Sequence, residues 1–207
     1  MRLIQKLTEQ NVLKRIQWAY LILYIVPTLT AFTVGYLLLP EGFLRGGSLT
    51  TPAETVAQQI GFWPQFLSTI GFNLGFILLF GTGLNTLRLL GLPGGYIYIF
   101  VQAIKCGIIA GTNSFVVQVI SPYTLEGWLV ALRIGHLEFL GYTCIVASTI
   151  GVVLQEHNSL RWSWKLDKTD KSRSWRDIRF SRQEIIGVII GIILVIVASY
   201  NETVLVF

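Results

Sequence analysis

Apolar residues along this chain arrive in long blocks rather than at the two-residue period of a strand or the one-sided stripe of a surface helix. A helix needs roughly 20 apolar residues to cross about 30 Å of hydrocarbon, and five blocks approach that length: 18–40, 66–87, 96–120, 128–154 and 185–200. Trp18, Tyr20 and Tyr24 open the first block with rings suited to a lipid headgroup region, and Pro27 predicts a kink within it. This block is too long for the apolar core of a cleavable signal peptide, so it is read as a retained span. The turn Gly91-Leu92-Pro93-Gly94-Gly95 ends the second block, and Ser121-Pro122-Tyr123 separates the third from the fourth. The predicted fold class is all-α: a polytopic bundle of five transmembrane helices in one integral membrane domain.

Composition narrows the picture further. Of 207 residues, 53% are hydrophobic and 13% charged, with a mean hydropathy of +0.62. A soluble domain carries about a quarter of its residues charged, and a disordered chain needs low hydrophobicity. The two cysteines, Cys106 and Cys144, both sit inside apolar blocks. They offer neither a disulfide framework nor a multi-cysteine zinc site.

The net charge of +5 is unevenly spread. Residues 1–17 hold four Lys or Arg, the turn after the second block one (Arg88), and residues 155–184 eight. With five spans these thirteen share one side against Arg45 alone on the other, which predicts a cytoplasmic N-terminus and an external C-terminus. The bacterial plasma membrane is the expected location, with an internal photosynthetic membrane left open.

Two loops are large enough to matter. In the outer loop 41–65, Thr51-Pro52-Ala53-Glu54 has capping-box spacing with proline at the first helical position, which predicts a short helix from Pro52 to Ile60. The basic loop 155–184 interleaves cations with tryptophans. Arg161, Trp162, Trp164, Lys165, Trp175 and Arg176 are its candidates for contact with anionic lipid headgroups or a partner protein. No phosphate-binding glycine loop or zinc spacing supports a nucleic-acid partner.

Ionisable and amide side chains inside spans are functional candidates because they are costly there. Lys105, Arg133, His136, Glu138 and Asn73 form this set. Arg133 and His136 are about 300° apart on a helical wheel and so neighbours, whereas His136 and Glu138 are about 200° apart and cannot hold one metal ion together. Lys105 and Glu138 are expected to pair across the third and fourth spans while Arg133 snorkels outward. The alternative is a polar path through the membrane lined by Lys105, Arg133 and Glu138. Neither an HExxH nor a GxSxG pattern occurs, so no catalytic residue, metal or cofactor is expected.

Small residues spaced one turn apart recur on four spans, the fourth carrying Ala147 with Gly151. Gly71 with Gly75, Gly107 with Gly111, and Gly187 with Gly191 would let helix backbones approach closely, within one chain or between copies. Asn73, Asn85, Gln102 and Asn113 could add hydrogen bonds between the helices.

Residues 66–202 resemble the stage II sporulation protein M family of integral membrane proteins. The likeness is carried by Phe72-Asn73, the Gly91-Leu92-Pro93 turn, the run from Lys105 to Gly111, Gly135-His136-Leu137-Glu138, and Ala198-Ser199-Tyr200-Asn201-Glu202. Where the family often has His-Gly-x-x-Glu, Ile134 here precedes Gly135 and the histidine is displaced to position 136. The resemblance implies a non-enzymatic, five-span protein working in assemblies with other membrane proteins. The expectation is therefore a scaffold or assembly subunit, possible as a homo-oligomer, with a transport or export component as the alternative.

Overall fold

A computed structural model of the chain describes residues 2–47, 59–115, 121–157 and 171–206. Its framework is all-α, with five helices long and apolar enough to cross a membrane. A short helix α1 (Arg2–Leu7) precedes them. The five are α2 (Val12–Leu38), α3 (Phe62–Thr82), α4 (Gly94–Gly111), α5 (Leu125–Ser148) and α6 (Arg182–Val206). Their starts follow from capping chemistry. Asn11 accepts from the Lys14 amide at 3.0 Å to begin α2, and Thr124 accepts from the Gly127 amide at 3.1 Å to begin α5. At α6 a capping box closes on both sides: Ser181 Oγ accepts from the Glu184 amide, and Glu184 Oε2 accepts from the Ser181 amide.

The apolar blocks mark the helices but not their ends. The third block was expected to stay helical to residue 120, whereas α4 stops at Gly111. Asn113 then takes a left-handed conformation (φ 50°), and the carbonyl of Thr112 accepts from the Gly42 amide at 2.7 Å. Residues 116–120 lie outside the described part, as does most of the outer-loop helix expected from Pro52 to Ile60.

Three spans contain a π-helical turn, at Tyr20–Ile25, Ile77–Thr82 and Leu132–His136. The first has a visible cause. Pro27 has no amide hydrogen to return to the preceding turn, and the widened segment ends just before it.

Two close helix pairs make the bundle, α2 with α4 and α5 with α6, with α3 packed against α6. Glycine sets the first crossing. A Cβ at Gly107 would collide with the carbonyl of Thr28, and one at Gly111 with that of Phe32. In the second pair, Gly141 and Gly191 each lie against the other's carbonyl, and Gly187 lies against Ser148. Tyr24, Ile77, Tyr96, Ile99, Ile145 and Val195 fill the core between the pairs.

One end of the bundle is closed by a small sheet of order β2-β1-β3-β4. Strands β1 (Leu87–Leu89) and β2 (Leu92–Pro93) form a hairpin whose central residues, Leu90 and Gly91, both have positive φ, as a tight hairpin turn requires. Strand β3 (Gln155–His157) runs parallel to β1, with Leu87 opposite Gln155, and β4 (Lys171–Ser172) pairs antiparallel with β3. The N-terminal segment reaches the same end, where Tyr96 donates to the Leu7 carbonyl at 2.7 Å. The described parts of the two Lys- and Arg-rich segments, 2–17 and 155–184, are thereby brought together with Arg88 at this sheet end.

Candidate functional site

Polar side chains collect where α2, α4, α5 and α6 meet. The π-helical turn of α5 ends at His136, whose Nδ1 lies 3.1 Å from Tyr20 Oη on α2. Tyr24, one turn along, stacks on Phe139 with ring centroids 4.3 Å apart and meets the His136 ring edge-on at 5.3 Å. Both tyrosines had been read only as headgroup-level rings. Here they fasten α2 to α5, a use that a ring count along the chain does not reveal.

Glu138 follows on α5. Its Oε1 accepts a hydrogen bond from Tyr142, one turn away on the same helix. Its nearest acidic neighbour in the electrostatic sense is Glu202 on α6. The expected pair with Lys105 does not form. Among the described residues the ion pairs are Lys14–Glu9 and Arg15–Glu184, and Lys105 has Cys106 as its electrostatic neighbour instead. The sequence fixes the angle of a residue on its own helix but not how that helix is rotated against the next. Arg133 is exposed, and its carbonyl accepts from Asn201 Nδ2 at 3.0 Å.

On α3, Asn73 is buried together with Gln65 and Thr69, at four-residue spacing along the face turned into the bundle. That rotation separates the glycine pairs. Gly71 and Gly75 lie on the opposite side, where a Cβ at either would meet nothing within 4 Å. Among the described residues they do not pack against another helix, whereas Gly107, Gly111, Gly187 and Gly191 do.

Asn85 ties three helices at the sheet end. It donates to the Val146 carbonyl at 2.8 Å and to Thr149 Oγ1 at 3.0 Å, and accepts from the Gly95 amide at 3.1 Å. A second tie there was not anticipated. Arg15 Nη2 meets Glu184 Oε1 at 3.2 Å with both side chains largely buried, while the other carboxylate oxygen serves the α6 capping box. Removing one member of such a pair strands a buried charge, which typically costs about 3–5 kcal/mol. The Ser181-x-x-Glu184 spacing was legible in the sequence; the role of Arg15 was hidden among the basic residues that set topology.

Trp175 and Arg176 lie in a short 3₁₀ turn beyond the sheet and are exposed, with Phe180 exposed nearby. Lys6 stands 3.6 Å over the Trp18 ring at the same end. Arg161, Trp162, Trp164 and Lys165 lie outside the described residues. Among those described, no group of three His, Cys, Asp or Glu side chains gathers in a way that could hold a metal ion.

These features define a multi-pass α-helical membrane protein. Compared with known family models, curated proteins and solved structures, the chain matches none.

Proposed function

We propose that this protein is a non-enzymatic scaffold or assembly subunit of a bacterial membrane complex, the role implied by its resemblance to the stage II sporulation protein M family. One observation carries the reading: three polar side chains in or at the ends of the spans join one helix to another. Tyr20 holds His136, Asn201 holds the Arg133 carbonyl, and Asn85 joins α3, α4 and α5. A groove of about 430 Å³ between α2 and α4 is lined by Ile22, Pro27, Val34, Phe100 and Ile104 among others, and by none of Lys105, Arg133 or Glu138. That groove is therefore apolar and is not a polar transport path.

Partners would meet the protein at the Gly71/Gly75 side of α3, which no other helix among the described residues covers, and at the basic segment around Trp175 and Arg176. The basic segment suits anionic headgroups of the plasma membrane, with the sheet end in the cytoplasm. Affinity purification of tagged protein from native membranes in mild detergent tests the proposal. The expected result is a stoichiometric membrane-protein partner that is lost when Gly71 and Gly75 are both replaced by Ile. Protein that purifies alone overturns the assembly role.

A further inference from the structure

Glu138 and Glu202 are acidic side chains within the spans to which the described residues supply no ion-pair partner. Neither takes part in an ion pair among the described residues. Helix register explains how they meet. Asn201 bonds the Arg133 carbonyl, and Gly141 lies between the levels of Gly191 and Val195, so antiparallel α5 and α6 place Glu138 level with Ile196. Glu202 then stands about 9 Å further along, at about 1.5 Å per residue. Side chains on a helix lean toward its N-terminus. Because α5 starts at the end away from the sheet and α6 at the sheet end, the two carboxyls lean toward each other.

Each is mostly buried, and the two lie within electrostatic reach. Between their levels is Ser199, fully buried on the face of α6 one turn before Glu202, with an Oγ that has no hydrogen-bond partner.

Two ionised carboxylates close together in a low-dielectric site repel strongly, so such a pair retains a positive charge between its members. We propose that Glu138 and Glu202 form a carboxyl dyad that binds one proton, with the unpartnered Ser199 hydroxyl one turn from Glu202 on the same helix. Tyr142 donates to Glu138 Oε1, which leaves Oε2 for the shared proton. The proton comes from water at the end away from the sheet, near which Glu202 lies, and no bond other than that to hydrogen is made or broken.

The groups facing the dyad are few. They are Tyr24 from α2, Tyr98 and Cys106 from α4 with Lys105 beside Cys106, and Tyr142 from α5. The span α3 contributes no titratable side chain. On α5, His136 is held by Tyr20, and Arg133 is exposed and makes no ion pair with either glutamate.

Infrared spectroscopy of the protein in nanodiscs of zwitterionic lipid tests this. Of the other nine acidic residues, the described ones lie outside the spans or in a first helical turn, and Glu54, Asp167 and Asp170 fall in the sequence between the apolar blocks. A protonated-carboxyl C=O band at pH 7 therefore reports the dyad. The expected result is such a band, whose titration midpoint falls by about one pH unit or more in Glu138→Gln and in Glu202→Gln as the partner charge is removed. Ser199→Ala should shift the band's frequency without abolishing it. A wild-type spectrum lacking the band at pH 7 overturns the dyad and needs no variant to fold. So does a band that neither glutamine substitution moves. Loss of the band on adding sodium chloride at constant pH would assign the site to a sodium ion rather than a proton.

Discussion

Asn85 has no accessible surface, and both ends of its amide are engaged by three other residues. Hydrogen bonds between membrane helices are individually modest, near 0.6 kcal/mol on average, but a stranded buried amide costs about 1–3 kcal/mol. Asn85→Leu leaves the Gly95 amide without its acceptor and is expected to destabilise the fold by about 2–3 kcal/mol. Thr149→Val, which removes one of the three contacts, should cost about 0.5–1 kcal/mol. Unfolding equilibria measured by steric trapping in bicelles would separate the two values. The position of Asn85 inside an apolar block marked it as a candidate for joining helices. Its partners could not be read in the same way, because Val146 and Gly95 contribute only backbone groups and the sequence carries no sign of which backbone is near.

At the scale of helices, small-residue spacing alone does not tell a packed face from an open one. Gly107 and Gly111 let α2 approach α4 until their backbones touch, while Gly71 and Gly75 have the same spacing and touch nothing. Alanine should discriminate them. Gly107→Ala and Gly111→Ala each force the α2–α4 pair apart and are expected to cost about 1–3 kcal/mol. Gly71→Ala and Gly75→Ala should change the stability of the isolated protein by no more than about 0.5 kcal/mol. Equal costs at all four positions in the same unfolding measurement would mean that α3 is rotated differently from this structure. Helix existence was legible because a 20-residue apolar run has few other uses. The π-helical turns at Ile77–Thr82 and Leu132–His136 were not, since no proline or other local signal precedes them. The strands, two or three residues each, are too short for an alternating pattern to register.

Over the whole molecule, the gathering of the two basic segments and Arg88 at the sheet end gives the positive-inside argument a physical surface on which to act. If that end is cytoplasmic, a membrane-impermeant maleimide added to intact cells should label a cysteine placed at Arg45 and leave one placed at Arg173 unlabelled until the cells are permeabilised. The opposite pattern would invert the orientation. Parallel pairing of β1 with β3 has a further consequence, for the order of events during synthesis. The edge of β1 emerges from the ribosome 68 residues ahead of its mate, counted from Leu87 to Gln155. At about 5–20 residues per second it waits on the order of 3–14 s. In that interval α4 and α5 must both enter the bilayer, while the nascent hairpin stands with one side unmatched and open to chaperones or to a neighbouring polypeptide.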